Sequence, residues 1–245
     1  MEWIANRYQL VRLLGRGAMS EVWLARDRVT KPERTVALKL IPSESDAYAS
    51  MRREFFDRET RALSLLNHPR VVRLLESGED TEAGKLYIAL EYVDGANLEE
   101  RLANWRPTLN YSISIGVDLL EALVSAHRQG IIHRDIKPRN IMVGVDGEVK
   151  LVDFGVSRLT HEARLGHTVR GFMSVPYASP EQRRAEDVTV FTDLYSLGAV
   201  VFRLVSAKEP PDPMDWEPAI DSVALPPRLK DWLTRMVALE PSSRY

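Results

Sequence analysis

Cysteine is absent from the 245 residues, and one branch of chemistry goes with it. The chain has no disulfide framework, no thiolate zinc site and no cysteine nucleophile, and it fits a reducing compartment such as the cytoplasm. Charge of one sign is not in excess either. Lys and Arg number 33 against 35 Asp and Glu, for a net charge of −2 and a pI of about 6.3. Such a balance does not suit a protein whose main partner is nucleic acid or an anionic membrane. No apolar run approaches the ~18 residues that would span a bilayer. The first residues, Met1-Glu2-Trp3-Ile4-Ala5-Asn6, lack the basic and apolar regions of a signal peptide. Repeats of about 20–50 residues are missing, which argues against solenoids and propellers. What is left, 44% hydrophobic and 28% charged residues, suits a globular chain of one large domain or two packed lobes.

Strand patterns run over 8–14, 21–25 and 35–40, the first two separated by Gly15-Arg16-Gly17. Between 51 and 66 the period becomes helical, with Phe55, Glu59, Ala62, Leu63 and Leu66 on one face, and Asn67-His68-Pro69 ends it. Two further strands are expected over 71–75 and 86–91. Beyond Asp94-Gly95 the chain turns mostly helical. Ile113, Gly116, Val117, Leu120, Leu123, Val124 and His127 define one apolar face, and Gly130 stands where a helix-ending glycine belongs. Residues 194–205 are apolar nearly all round and read as a buried central helix. Leu229, Trp232, Leu233, Met236 and Val237 mark a last amphipathic one. The expected architecture is α+β: a five-stranded β-rich lobe with one helix over about 1–92, a hinge at about 91–95, and a larger helical lobe over about 96–245.

Several short motifs carry chemistry. Leu14-Gly15-Arg16-Gly17-Ala18-Met19-Ser20-Glu21-Val22 puts glycines between two strands. Alone it reads first as a hairpin turn, and as a phosphate cradle only in company, because glycine lets backbone N–H groups approach an anion. Ser20 fills the third glycine position of a dinucleotide fingerprint and a strand follows, so that reading fails; no Walker A pattern occurs. Lys39 ends the apolar stretch Val36-Ala37-Leu38, where it either snorkels or meets a buried acid. Glu59, on the apolar face of its helix, is such an acid and needs a cation; Glu54 lies on the polar face. The densest run is His133-Arg134-Asp135-Ile136-Lys137-Pro138-Arg139-Asn140, after the helix stop at Gly130 and a short strand expected at Ile131-Ile132. Asp153-Phe154-Gly155 follows a strand-turn-strand stretch containing Gly147. Asp135, Asn140 and Asp153 together offer hard oxygen ligands for Mg²⁺ and a carboxylate base for a hydroxyl substrate.

These markers resemble the eukaryotic-type Ser/Thr protein kinases, most closely their bacterial branch, and the resemblance runs from Tyr8 to Arg244. It implies a bilobal protein-kinase fold and an ATP- and Mg²⁺-dependent transfer of the γ-phosphoryl group to protein Ser/Thr hydroxyls, Mn²⁺ being a possible substitute ion. The backbone of the 14–22 loop would cover the phosphates. Lys39 would hold them, positioned by Glu59, and Asn140 and Asp153 would bind the metal. Asp135 would orient the acceptor and take its proton, and Lys137, which points to Ser/Thr acceptors, would neutralise the transferring group. Leu90 would be the gatekeeper, with adenine bonded by the backbone of Glu91 and Val93 and sandwiched by Val22, Ala37 and Met142. Asn97 stands where an acidic ribose contact is usual. Arg134 would bind a phosphate on the activation loop, at Thr168 first and Thr160 second, with Ser174 facing the substrate. Asp193 would cap the central helix and brace the catalytic backbone, and Glu181 would form a buried ion pair with Arg244.

The segment Met173-Ser174-Val175-Pro176 departs from the family's usual Gly-Thr. The chain stops one residue after Arg244, where the family adds a further helix, so an excised or unusually short catalytic domain over 1–245 is expected, with the Glu181–Arg244 pair poorly protected at the chain end. The resemblance further implies autophosphorylation, protein substrates, no nucleic acid, and room for a dimer through the N-lobe. A cytoplasmic location follows, whether free or as the cytosolic domain of a longer, membrane-anchored protein. A pseudokinase acting as a nucleotide-binding scaffold is the alternative; it would be favoured by loss of Lys39, Asp135 or Asp153, all of which are present.

Overall fold

In a computed structural model, which describes residues 2–17, 19–43, 46–154 and 175–245, the chain divides into two compact units, Met1–Asp94 and Gly95–Tyr245. The first unit holds an antiparallel sheet of strands β1 (Trp3–Ile4), β2 (Tyr8–Arg16), β3 (Glu21–Asp27), β4 (Arg34–Pro42), β5 (Leu74–Asp80) and β6 (Lys85–Glu91), with helix α1 (Ala49–Leu65). Their order is β1-β2-β3-β4-β6-β5. Six strands, not the five expected, make the sheet. The extra strand is two residues long and reached through Ala5 and Asn6, both at positive φ, a turn that no glycine or proline announces. Strand β5 also starts later than its apolar neighbours suggest. Val71 and Val72 are buried ahead of it, while its own sequence, LLESGED, is that of a half-exposed edge strand.

Alternation along β4 divides the labour. Val36, Leu38 and Leu40 pack with Ile4, Tyr8, Ala25, Tyr87 and Ala89 in one core, so Ala37, Lys39 and Ile41 project to the other face. Helix α1 buries Arg52, Phe55, Phe56, Glu59 and Leu63. Arg52 fastens its first turn by donating to the Pro42 carbonyl (2.7 Å) and pairing with Asp46.

The second unit contains a three-stranded sheet of β7 (Gly95–Asn97), β8 (Ile141–Gly144) and β9 (Val149–Leu151). Among the described residues its helices are α2 (Leu98–Asn104), α3 (Leu109–Arg128), the single turn α4 (Pro180–Arg183), α5 (Val190–Ser206), α6 (Trp216–Asp221) and α7 (Pro227–Met236). Ile131-Ile132 is not a strand. Central helix α5 buries residues nearly all round, and Gly198 lets it meet α7. A Cβ there would lie 2.8 Å from Met236 Cβ and 2.9 Å from Val237 Cγ1.

Helix α3 is buried through Ser112, Ile115, Gly116, Leu119, Ala122, Leu123 and Ala126. That stripe starts one residue earlier than the large apolar side chains indicated, and Ile113, Val117 and Val124 are 38, 50 and 42% exposed. Small residues at 112, 116, 122 and 126 set the close approach, and a reading weighted by large side chains overlooks them. Among the described residues α3 is also the one helix long and apolar enough, by length and composition, to cross a membrane. Its scattered polar residues break up the apolar run that would have marked it in the sequence.

Arg244 is buried together with Glu181, as the expected ion pair requires, and the nearby chain end does not leave the pair poorly protected as expected. Its guanidinium pairs with both Glu181 oxygens (2.7 and 3.0 Å) and donates to the carbonyls of Phe191, Ala238 and Leu239, over the Tyr195 ring. Burial alone would raise the Glu181 carboxyl, but hydrogen bonds from Arg244 and Thr192 hold it below its ordinary 4.5. The pair's contribution is therefore complete at neutral pH and lost as pH falls through that lowered value. Breaking a buried pair costs about 3–5 kcal/mol, so Arg244→Ala should lower the melting temperature sharply at pH 7. Arg139→Ala, on an exposed side chain, should change stability by no more than about 0.5 kcal/mol. Glu181→Gln should melt well below wild type at neutral pH and converge on it in acid, measured by thermal denaturation across that range.

Candidate active site

In the first unit, Lys39 Nζ lies 2.8 and 2.9 Å from the Glu59 carboxylate oxygens and 5.0 Å from the Phe55 ring centre. The side chains are 4% and 0% exposed, so this ion pair lies in the interior. Both sequence periods converge on it: period two turns Lys39 away from Leu38, and the α1 face carries Glu59 in line with Phe55 and Leu63. Val22 pairs across the sheet with Lys39, and Ala37 with Leu90, which sets three apolar candidates beside the lysine strand. Glu91 N–H donates to the Arg73 carbonyl (3.0 Å), and its carboxylate accepts from Arg73 N–H (2.7 Å). Val93 is half-buried.

The glycine-rich turn closes through Gly17 N–H donating to the Ser20 carbonyl (2.7 Å), with Gly15 opposite Val22 and Arg16 opposite Glu21. Glu21 also pairs with Arg16 (3.1 Å) and accepts from Trp23. Leu14, Met19 and Ser20 flank that turn, and Ala18 lies outside the described residues.

In the second unit, Asp135 is gripped from two sides. Lys137 Nζ (2.7 Å) and Asn140 Nδ2 (3.0 Å) both reach its Oδ2, and Asn140 Nδ2 also donates to the Asp135 carbonyl (2.8 Å). The Asn140 carbonyl accepts from Val152 N–H (3.0 Å), which brings the residue before Asp153 to the same loop. His133 Nδ1 accepts from Asp135 N–H (3.3 Å), so its Nε2 carries the proton donated to the Val152 carbonyl (2.9 Å). Its ring stacks edge-on against Phe154. Arg134 and Asp153 both take left-handed backbone (φ +69° and +62°). Gly155, Thr160, Thr168 and Ser174 lie outside the described residues.

Asp193 is wholly buried in the first turn of α5. Its oxygens accept from Arg134 N–H (2.7 Å), His133 N–H (2.9 Å) and His127 Nε2 (2.8 Å). It braces the catalytic backbone but does not cap its helix. Thr189 is the N-cap, because the capping position precedes the helix by one residue and Asp193 sits four residues in. Asn97 is likewise a cap, its Oδ1 accepting from Glu100 N–H (3.0 Å) in a reciprocal capping box, while Met142 stands opposite it in β8.

The protein kinase domain model matches residues 8–244. The chain is 38% identical over 211 residues to the probable serine/threonine-protein kinase PknB of Lactococcus lactis, covering 85% of this chain and 33% of the relative. It is 39% identical to the serine/threonine-protein kinase PknB of Mycobacterium leprae, over 84% of this chain and 33% of that protein. The crystal structure of the Mycobacterium tuberculosis PknI kinase domain superposes with a TM-score of 0.73 at 28% identity, covering 100% of this chain and 92% of that one. The chain belongs to the protein kinase family, in its bacterial serine/threonine branch. It spans about a third of the length of the curated relatives it matches.

For this kinase domain, use of ATP and a divalent metal follows from the family. The donor set fits such a metal. With Nδ2 of Asn140 committed to Asp135, its Oδ1 remains as a hard acceptor, and the bond from Val152 N–H to the Asn140 carbonyl ties the chain just before Asp153 to the same loop. No cluster of three His, Cys, Asp or Glu occurs among the described residues, and Mg²⁺-type sites commonly use one or two protein oxygens with phosphate and water. Two contacts at this site have no counterpart among the sequence motifs. His127 counts there only as part of an apolar face, and Gln182, whose Nε2 donates to the Arg134 carbonyl (2.7 Å), does not stand out at all. The S-x-x-Q spacing of Ser179 and Gln182 was the available signal, since it marks a capping box.

The Lys39–Glu59 pair makes a stability prediction independent of activity. Lys39→Met should destabilise the first unit by about 3–5 kcal/mol, because the buried Glu59 carboxylate loses its ammonium partner. Lys39→Met with Glu59→Leu should recover most of that loss in denaturant titrations. Additive losses would show that the two side chains are not coupled.

Proposed function

We propose that the chain transfers the γ-phosphoryl group of Mg-ATP to Ser or Thr hydroxyls of proteins, with Mn²⁺ an alternative ion. The observation that carries the proposal is the Asp135 carboxylate. Lys137 and Asn140 engage only its Oδ2, which leaves Oδ1 for the acceptor hydroxyl and its proton. Bound Mg-ATP supplies the phosphoryl group and neutralises its charge. Lys137 adds a cation beside the base, and Asn140 Oδ1 and the Asp153 carboxylate are the oxygens that would hold the metal. Lys39, its orientation set by Glu59, is the candidate grip on the α- and β-phosphates, under backbone amides of the 14–22 loop. Val22, Ala37, Leu90 and Met142 would line adenine, with edge bonds at the backbone of Glu91 and Val93. Asn97 Oδ1 is spent as a helix cap, so this residue would meet the ribose only through its Nδ2.

The same proposal extends to organisation and control. The catalytic domain would span 1–245 with a hinge at 91–95, act in the cytoplasm, either free or as the cytosolic domain of a longer protein, and be tuned by a phosphate received by Arg134. Asp135→Asn should lower phosphoryl transfer by about 10²–10⁴ while labelled ATP still binds. The assay is transfer from labelled ATP to a generic protein acceptor. Transfer by Asp135→Asn within threefold of wild type would remove Asp135 as the base. A wild-type chain that binds ATP without transferring would favour the nucleotide-binding scaffold instead.

A further inference from the structure

Gln182 holds two positions at once. Its Oε1 accepts from Ser179 N–H (3.1 Å) and the Ser179 hydroxyl (3.4 Å), while Ser179 Oγ accepts from Gln182 N–H (3.3 Å), completing the capping box of α4. A capping box needs only an acceptor at this position, and glutamate serves as well as glutamine. The amide nitrogen is surplus to the cap. It donates at 2.7 Å to the carbonyl of Arg134, 48 residues earlier in the chain and adjacent to the proposed base. Arg134 is left-handed at φ +69°, an uncommon backbone for a side chain of this size. Its N–H is held by Asp193 at 2.7 Å, so the residue is clamped at both ends: Asp193 takes the N–H and Gln182 the C=O. That carbonyl belongs to the peptide unit that carries Asp135 N–H, which in turn donates to His133 Nδ1.

We infer that Gln182 is a positioning residue for phosphoryl transfer: its amide nitrogen fixes the Arg134–Asp135 peptide and thereby the aim of the Asp135 carboxylate. The same side chain ties the segment around Ser179 to the catalytic loop. That segment is itself fixed from below, since Ser196 Oγ donates to the Tyr177 carbonyl at 2.8 Å and Arg183 Nε to that of Ala178 at 3.1 Å. A shift of this segment therefore pulls on the peptide next to the base.

The inference rests on the proposed role of Asp135, and paired variants separate the two functions of Gln182. Replacement by glutamate keeps the cap acceptor and removes the donor, whereas replacement by lysine keeps a donor and removes the acceptor. Gln182→Glu, Gln182→Lys and Gln182→Ala of the full chain, equally dephosphorylated, are compared for melting temperature, KM for ATP and single-turnover transfer at saturating Mg-ATP. We expect Gln182→Glu to melt close to wild type with KM for ATP unchanged and transfer slowed about tenfold, the scale of a small misplacement of a catalytic group. Gln182→Lys should melt lower yet transfer within about threefold of wild type, and Gln182→Ala should lose both. Transfer by folded Gln182→Glu within twofold of wild type overturns the inference. So does a Gln182→Lys rate no faster than that of Gln182→Ala, which decides the matter if the glutamate variant does not fold. Asp135→Asn in the same assay tests the underlying reading separately: activity there dismisses the base, whatever the Gln182 series shows.

Discussion

The second unit depends on one buried carboxylate. Asp193 is fully enclosed in the first turn of α5, and a charge so placed is tolerable only if donors surround it. Two are backbone amides, of His133 and Arg134, and one is the His127 ring; the helix N-terminus adds its own positive end. The amide bonds hold Arg134 in a left-handed conformation that costs of order 1–3 kcal/mol elsewhere. From that anchored turn the rest follows in sequence. Asp135 is fixed to His133, Asn140 to Asp135, Val152 to both Asn140 and His133, and Asp153 comes next in the chain.

Two other buried ion pairs invite comparison because the physics of burial does not favour them. An apolar replacement of similar volume is often as stable as a buried pair, so such pairs are weak evidence of stabilisation. Glu181–Arg244 answers this objection by saturation, since three carbonyls and an aromatic face complete the guanidinium shell. Lys39–Glu59 sets a buried ammonium on a carboxylate beside a phenyl ring. The role proposed for its ammonium is to hold the anionic phosphates of ATP.

Much of this was legible in the sequence where a single period governs a segment. The alternation of Val36 to Lys39 and the helical face of Glu59 each point inward on their own, and they meet. The central helix showed through its unbroken apolar character, and Gly130 ends α3 with φ +70°. Failures came where the signal lay outside large apolar side chains. The buried stripe of α3 is set by serine, glycine and alanine, β1 is two residues long, and β5 is a polar edge strand. The Asp193 cap was misread because acids in a first turn and true N-caps look alike in sequence while differing in position by a turn. Long-range bonds to backbone atoms, such as Gln182 to the Arg134 carbonyl, leave no trace in residue types beyond the local cap they share.

If the catalytic loop is held by Asp193, its chemistry should fail when that carboxylate loses one acceptor while the fold survives. Asp193→Asn keeps the shape but turns one oxygen into a donor facing an N–H or a ring proton. Measured as transfer of labelled phosphate from Mg-ATP to protein serine and threonine, alongside nucleotide affinity, it should lose about 10²-fold in rate with ATP affinity unchanged. Wild-type transfer by a folded Asp193→Asn would contradict the account.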